Sequence, residues 1–260
     1  MTALLLAAAV ALGQSHITNG QVETRVATQT LEREIAGVAS RGGARWIGYR
    51  IRIAGGHRSM DCVDRSHVAL EPAGELAILA RFESGTLLRL RTATPDCEID
   101  AGGVPVVWFD GVKPDDSAAW LTSIINATPA PGERFDRIVK PAASALAMHE
   151  GTAATRSLVA MARDHAVSKM RADALFWLSQ RAGDQALSAI SEAIDRDPDT
   201  DVKKRATFAL SQLPKDEGVP KLIEVARNNR NAAVRKQAMF WLGQSNDPRA
   251  LKFFEDVLLK

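Results

Sequence analysis

A pentapeptide that returns at a constant interval is the feature that most constrains the fold of this chain. It reads FWLSQ at 176–180, FALSQ at 208–212 and FWLGQ at 240–244, so each copy lies 32 residues after the one before it. An interval of this length holds two short helices and their turns, and one such unit cannot bury its apolar face alone. The interval therefore predicts an all-α solenoid of stacked helical hairpins.

The repeat extends well beyond the pentapeptide and predicts about four hairpins, each with an A helix, a short turn and a B helix. The predicted buried positions of the A helices are Met170, Val202 and Val234, Ala174, Ala206 and Ala238, and Leu178, Leu210 and Leu242. Those of the B helices are Leu187, Val219 and Leu251, Ile190, Leu222 and Phe254, and Ile194, Ala226 and Leu258. The first copy fills the same slots with Ala142, Leu146, Ala154, Leu158 and Ala162. We therefore predict the solenoid at 135–260.

The predicted repeats resemble those of the HEAT family, near the short-repeat variety also found in phycobilisome-lyase-type proteins. The motif Asp201-Val202-Lys203-x2-Ala206-x3-Leu210 carries the resemblance, and Ala233-Val234-Arg235-x2-Ala238-x3-Leu242 repeats it. The resemblance covers close to half of the chain. It implies a binding scaffold, because such repeats mostly present surfaces to other molecules. We expect the partner to be another protein or a peptide, and we expect no cofactor.

The resemblance also implies a binding groove, because the B helices of HEAT-like repeats usually line the concave side. If Leu187, Ile190 and Ile194 are buried, the opposite face of the B helices carries mostly polar residues of both signs. The predicted groove consists of Ser188, Glu192, Lys221, Glu224, Lys252, Phe253 and Asp256. Its mixed, mildly acidic character suits a protein partner. With a net charge of +2, the chain lacks the concentrated basic surface that is typical of a nucleic-acid-binding protein.

The aromatic residues of the pentapeptide have two interpretations. At 100° per residue, Trp177 falls in the stripe of Met170, whereas Phe176 falls on the opposite flank of the helix. A solenoid helix has neighbours on several sides, so the series predicts packing between repeats, with an aromatic ligand groove as the alternative. Under the packing interpretation, Trp177 and Trp241 are buried, and larger neighbours fill the space beside Ala209, where the middle copy lacks Trp.

Arg171, Lys203 and Arg235 occupy equivalent positions and form a basic column. In HEAT-like proteins this position commonly pairs with acidic residues of the neighbouring turn, which is the interpretation we favour. The alternative is a track for phosphate or nucleic acid, and the mixed charges around the column argue against it.

The segment DRDPDTDV at 195–202 places four aspartates at alternate positions, as a calcium loop does. The sixth position of such a loop is Gly but is Thr200 here, and the twelfth is Glu but is Ala206 here. The segment therefore predicts a turn between repeats whose acids favour the start of the next helix.

Some HEAT-repeat enzymes bind iron through His-Glu pairs that recur on several helices. This chain has one such pair, His149-Glu150, and the matching slots hold Arg181-Ala182 and Leu213-Pro214. One pair cannot make that site, so the resemblance does not extend to iron. Glycine-rich nucleotide loops and the Gly-x-Ser-x-Gly and His-Glu-x2-His motifs are also absent from the sequence.

The first half of the chain has the two-residue period of β-strands. Strands are predicted for WIGYRIRI (46–53), ELAILARFE (75–83), TLLRLRTA (86–93) and VPVVWFDG (104–111), with a hairpin turn at Ser84-Gly85. Helices are predicted over 28–40 and from Pro114 onward. These elements predict a small α+β domain at 16–125. NATPAPGER at 126–134 has the composition of a linker to the solenoid.

The chain has two cysteines, Cys62 and Cys97, both in the predicted α+β domain. In an exported protein a small even number of cysteines predicts one disulfide. Unpaired buried thiols are an alternative, and so is a metal site with His57 and His67. The spacing of these residues matches no standard zinc pattern.

The first residues of the sequence predict export. ALLLAAAVAL at 3–12 is an uncharged apolar run that is too short to span a bilayer. It fits the apolar core of a signal peptide, 1–15, with Ala11-x-Gly13 as the cleavage site. No Lys or Arg precedes the run, as would be usual. We expect a periplasmic or extracellular protein with no membrane insertion after the signal is removed.

Three hypotheses on function remain at this point. The leading one is an exported, non-catalytic scaffold that binds its partner on the solenoid surface. The alternative is an enzyme or metal-binding protein with a site in the N-terminal domain or the interdomain cleft. Its candidate residues are His57, Asp61, His67, Asp96 and Glu98. The third is a purely structural, envelope-stabilising protein.

Overall fold

The computed structural model of the chain describes residues 16–54, 74–94, 97–127, 132–181 and 183–259. The chain divides into two compact units, Met1–Ser117 and Ala118–Lys260. The predicted signal peptide at 1–15 lies outside the described residues, as do residues 128–131 of the predicted linker. The domain boundaries drawn from the sequence stay predictions.

A mixed β-sheet is the main element of the N-terminal unit. The strands and helices are β1 (His16–Thr18), β2 (Val22–Val26), α1 (Leu31–Ala39), β3 (Ala44–Arg52), β4 (Glu75–Glu83), β5 (Thr86–Ala93), β6 (Glu98–Asp100), β7 (Val106–Asp110) and α2 (Pro114–Asn126), which begins in this unit and ends in the next. Five strands form one sheet in the order β2-β7-β3-β4-β5. In it, β2, β7 and β3 run parallel, whereas β3, β4 and β5 are antiparallel. A separate parallel pair joins β1 to β6.

The predicted strands and helices of this unit are found close to their predicted positions. The hairpin of β4 and β5 turns at Ser84 and Gly85, which have φ values of 47° and 80°. Positive φ at both positions is what a two-residue hairpin turn requires, because its twist then matches that of the strands. The sequence did not predict β1, β2 and β6. These short strands pair in parallel with distant segments.

Tyr49 and Trp108 are large core residues of the N-terminal unit, and each depends on a small or polar neighbour. The Tyr49 hydroxyl is fully buried and accepts a hydrogen bond of 2.9 Å from the Ser117 hydroxyl, which offsets the cost of burying it. Trp108 pairs with Gly48 in the register of β7 and β3. A Cβ atom at Gly48 would lie 2.7 Å from Cε3 of the Trp108 ring. Glycine is therefore required at position 48 by the close approach of the indole.

Stacked helical hairpins make up most of the C-terminal unit. A short π-helical turn, Phe135–Val139, leads into the first helix. The helices are α3 (Lys140–Met148), α4 (Thr152–Asp164), α5 (Ser168–Ser179), α6 (Asp184–Arg196), α7 (Thr200–Gln212), α8 (Lys215–Asn228), α9 (Ala232–Gln244) and α10 (Pro248–Leu258). They form four hairpins, with α3, α5, α7 and α9 as A helices, so the predicted fold class is confirmed. No helix of the described ranges is long and apolar enough to cross a membrane.

The repeat determines which residues of the A helices are buried. All nine predicted A-helix positions of the last three repeats, from Met170 to Leu242, are almost inaccessible to solvent. Among them, Ala174, Ala206 and Ala238 are fully buried. The A helices α5, α7 and α9 pack side by side, whereas the B helices α6 and α8 do not pack against each other comparably.

The last helix departs from the predicted pattern of burial. Leu251 and Leu258 were expected to be buried but are 63% and 82% exposed. Phe253, which was expected on the open face of the groove, is 2% exposed and packs in the interior with Ala250. The reason is a difference in neighbours. The helices α6 and α8 each pack against the A helix that follows them, and no described helix follows α10.

We expect Gly48→Ala to lower the free energy of unfolding by about 1–3 kcal/mol, because the added methyl group overlaps the Trp108 ring. Gly37→Ala is the matched control, since Gly37 lies in α1 and a methyl group added there would have no atom within 4 Å. That substitution should raise the free energy of unfolding by about 0.5–1 kcal/mol. Urea unfolding followed by circular dichroism measures both. A stable Gly48→Ala protein would show that the indole can move away at little cost.

Candidate functional site

The predicted groove residues of the B helices lie at the surface, except Phe253, for which the prediction is wrong. Their charges are paired with one another or with neighbours, except that of Lys252, which has no ion pair with a described residue. Glu192 accepts a hydrogen bond of 2.7 Å from Arg163 Nη2, and this bond lowers the pKa of Glu192. The remaining pairs are Lys221 with Glu224 at 2.8 Å and Arg227 with Asp256 at 3.5 Å. The B-helix face is therefore largely neutralised by its own ion pairs.

A small depression lies between α4 and α6 beside this face. Arg163, Glu192 and Pro198 are among the residues that line it, and its volume is about 90 Å³. Sites for small molecules usually enclose about 300–1,000 Å³. The depression is too small for such a ligand.

The basic column binds the turns between repeats. Arg171 donates to both carboxylate oxygens of Asp197, at 2.7 and 3.0 Å, and both side chains are buried. The bond to Asp197 raises the pKa of Arg171. The predicted pairing with an acid is therefore confirmed for Arg171. It is wrong for Lys203, which donates to the carbonyl oxygen of Asp195 at 2.8 Å. The position equivalent to Asp197 one repeat later is Asn229, which carries no charge.

Arg235 also binds backbone instead of an acid. Its Nη1 atom donates to the carbonyl oxygens of Asn229 at 2.8 Å and Arg230 at 3.1 Å. Arg171 makes the equivalent bond to the carbonyl oxygen of His165 at 2.9 Å. The shared role of the column is thus to hold the turn that precedes each A helix.

The acidic segment at 195–202 forms a turn between repeats, as predicted. The Asp197 carboxylate accepts a hydrogen bond from the backbone N–H of Asp199 at 2.8 Å. The Asp199 carboxylate accepts one from the N–H of Asp201 at 2.8 Å, which caps α7 and lowers the pKa of Asp199. Asn229 and Asn231 make the same two bonds one repeat later, each at 3.0 Å. The side-chain amides of Asn229 and Asn231 accept the same hydrogen bonds as the carboxylates. The alternating polar residues therefore stabilise the turn.

His149 is a buried structural residue. Its side chain is inaccessible to solvent, and Nδ1 lies 2.8 Å from the carbonyl oxygen of Ala145. Burial lowers the pKa of His149 to about 4. Arg181, the residue in the matching slot one repeat later, donates to the carbonyl oxygens of Ala147 and His149 at the end of α3. Among the described residues, no three His, Cys, Asp or Glu side chains are grouped to hold a metal ion.

Most candidates of the enzyme hypothesis lie outside the described residues: His57, Asp61, Cys62, His67 and Asp96. Glu98 is described and lies exposed on β6. Cys97 is buried, and its Sγ atom lies 2.9 Å from the Thr94 hydroxyl. It is not a free thiol, since no cysteine of the described ranges is free. The proposed site in the N-terminal domain stays a prediction.

Five aromatic rings form a row on the A helices α5, α7 and α9. They are Phe176, Trp177, Phe208, Phe240 and Trp241, and we refer to them as the aromatic row. Phe176 and Phe208 stack in parallel with ring centroids 6.2 Å apart, and Phe208 contacts Trp241 at 4.9 Å. The predicted packing between repeats is therefore confirmed. The expectation that Trp177 and Trp241 are buried is wrong, because both are only partly covered.

The outer side of the aromatic row is open to solvent. Phe176 is 36% and Phe240 53% exposed. Exposed aromatic rings in a continuous row are unusual on a monomer surface and are typical of interaction sites. The sequence identified these residues and favoured packing between repeats, with an aromatic ligand groove as the alternative. It missed the glutamines at Gln180, Gln212 and Gln244, which recur four residues after each Phe and are also exposed.

Stacked hairpins with this recurring interior define the C-terminal unit as an α-solenoid. Its residues 187–260 match the family of HEAT repeats. This match supports the predicted resemblance to HEAT repeats, which commonly mediate protein–protein interactions. The match does not extend to the N-terminal unit.

Comparison with solved structures finds a similarity to human deoxyhypusine hydroxylase in complex with glycerol. The sequence identity is 17% and the TM-score is 0.40, over 49% of this chain and 43% of that chain. The present chain thus spans less than half the length of that protein. No curated protein matches the chain.

We expect the stability of the protein to fall between pH 6.5 and pH 4 because of His149. The folded-state pKa of about 4 lies below the usual value of 6.5, so the unfolded chain takes up the proton first. The stabilisation is complete above about pH 6.5 and is lost as the pH falls toward 4, with a total of about 3 kcal/mol.

The variant His149→Asn keeps a donor near the Ala145 carbonyl but cannot titrate. Urea midpoints followed by tryptophan fluorescence at pH 7 and pH 4.5 should differ less in this variant than in the parent protein. All other titrating groups are shared by the two proteins, so their contributions cancel in the comparison. Equal pH dependence in both would contradict a buried, neutral His149.

Proposed function

We propose that the protein is an exported, non-catalytic scaffold that binds another protein or a peptide on the surface of its HEAT-repeat solenoid. The observation that carries this proposal is the aromatic row, which leaves Phe176 and Phe240 exposed on a stack of HEAT repeats. When a partner covers exposed aromatic rings, much apolar surface is removed from water. Such rings contribute much of the binding free energy at many protein interfaces. The near-balanced net charge of +2 favours a protein over nucleic acid as the partner.

Export is supported by the first residues of the sequence and by the cysteines. The apolar run at 3–12 and the small residues Ala11 and Gly13 fit a cleaved signal peptide. Cys97 is not a free thiol, and the chain has one other cysteine, Cys62. We propose that these two form a disulfide, which is stable in an oxidising compartment such as the periplasm. It would supplement the thin core of the N-terminal unit.

Site-specific photo-crosslinking in cells that make the protein tests the scaffold proposal. A photo-reactive phenylalanine analogue replaces Lys236 on α9, Lys252 on α10 or Arg91 on β5, all of which are exposed. We expect one or both solenoid positions to crosslink a protein that the Arg91 position does not. Crosslinks from Arg91 alone, or from no position on the solenoid, would argue against a scaffold that uses this surface.

Export and the disulfide are tested together by thiol alkylation of the full chain. The protein is expected in the periplasmic fraction without the apolar run at 3–12, and its thiols should react with maleimide only after reduction. Leu5→Arg should block export and leave both thiols reactive, whereas Cys62→Ser should leave Cys97 reactive without reductant. Thiols that react in the exported parent protein without reductant would refute the disulfide.

A further inference from the structure

We propose that the A helices bind an extended, acidic peptide, which lies across α5, α7 and α9 along the aromatic row. This inference rests on the proposed scaffold function and names the surface and the class of partner. The surface consists of two parallel columns of exposed or half-exposed side chains, Phe176, Phe208 and Phe240 beside Gln180, Gln212 and Gln244. We refer to the two columns together as the aromatic–glutamine strip.

The two columns of the strip lie side by side because their members are four residues apart on each helix. Residues at i and i+4 are neighbours on one face of an α-helix. The A helices pack side by side from α5 to α9, so each column crosses three adjacent helices at right angles to their length. The stacked rings of Phe176 and Phe208, with centroids 6.2 Å apart, make the apolar column continuous from one helix to the next.

The glutamine column supplies what the backbone of such a peptide needs. An extended peptide has no internal hydrogen bonds, so its N–H and carbonyl groups bind partners outside the peptide. Gln180 and Gln212 each donate to the preceding serine hydroxyl, at 3.3 and 3.1 Å. This bond holds the amide in place and leaves its carbonyl oxygen and second N–H for a ligand. In α9 the preceding residue is Gly243, so the amide of Gln244 is not held in this way.

The charges beside the strip select an acidic peptide. Asp173 is paired with Lys169 at 3.5 Å and Asp201 with Lys204 at 3.0 Å. Two exposed cations remain, Arg205 beside Phe208 and Lys236 beside Phe240, and neither has an ion pair with any described residue. The uncompensated charge of the strip is thus positive and lies over α7 and α9. In the predicted groove of the B helices, by contrast, only Lys252 lacks an ion pair with a described residue.

An anionic membrane is the other surface that aromatic rings and cations could bind. Membrane-binding faces usually carry many Lys and Arg residues around a broad apolar face. The strip has two uncompensated cations and a column of amides, which match a peptide backbone better than lipid headgroups. The membrane is therefore an outcome of the test and not the proposal.

The test measures binding of a fluorescein-labelled peptide of three Pro-Glu-Leu triplets to the full chain by fluorescence polarisation. We expect saturable binding with a Kd on the order of 10–100 µM. The same peptide with Lys in place of Glu should bind at least about tenfold more weakly. The absence of saturable binding below about 1 mM would overturn the proposal.

Three variants assign the binding to the strip. Phe240→Ser and Gln212→Ala should each weaken binding by about three- to thirtyfold. Lys236→Glu should reduce the preference for the acidic peptide. Leu251→Ser is the matched control, because it removes a similarly exposed apolar side chain from a B helix, and it should leave binding unchanged. Equal affinity in Phe240→Ser and Leu251→Ser would overturn the proposal.

Two further outcomes separate this inference from the scaffold function. One is a protein that crosslinks to the solenoid in cells equally well in the parent and in Phe240→Ser. That result would support the scaffold function and refute binding by the aromatic–glutamine strip. Binding to vesicles of phosphatidylglycerol that is lost in Phe240→Ser, without peptide binding, would assign the strip to a membrane and overturn the proposal.

Discussion

The close approach of the A helices is the constraint on which the rest of the solenoid depends. Ala174, Ala206 and Ala238 are fully buried at equivalent positions of α5, α7 and α9. A methyl group at these positions lets neighbouring helices pack side by side, and packing of this kind leaves no room for added atoms. The distance between the helices in turn brings the Phe176 and Phe208 rings into contact. The surface proposed for binding is thus a consequence of small residues in the interior.

The two sides of the solenoid use their charges differently. On the B helices, Glu192, Glu224 and Asp256 each have a cationic partner within the unit. Ion pairs of this exposed kind contribute little to stability, but they leave little net charge for a partner to recognise. On the A helices, Arg205 and Lys236 remain uncompensated next to aromatic rings. A surface that combines apolar area with unpaired charge can provide both affinity and selectivity.

The sequence was sufficient where the structure follows local periodicity. The interval of 32 residues predicted the four hairpins and the buried positions from Met170 to Leu242, because each repeat meets the same neighbours. It failed at α10, where Leu251 and Leu258 are exposed and Phe253 is buried. A periodic pattern assumes that a following helix is present. The strands β1, β2 and β6 were missed for a related reason, since parallel pairing with distant segments leaves no local signal.

For the candidate site, the sequence identified the aromatic residues but not their exposure. A helical wheel places Phe176 on a flank, and it cannot tell whether a neighbouring helix covers that flank. The structure shows that adjacent rings cover one another only in part. The repeated glutamines were visible in the pentapeptide from the start. The glutamines did not indicate a binding site by themselves, because most residues on the surface of a helix are polar and exposed.

The hydrogen bonds of the basic column make each turn depend on the helix that follows it. Arg171 and Arg235 bind carbonyl oxygens of the turn before their own helix, and Arg171 also reaches forward to Asp197 in the next turn. Neighbouring repeats are therefore linked pairwise, as in a one-dimensional chain of coupled units. In such a chain, a substitution that removes one of these bonds weakens first the contact between the two repeats that it joins.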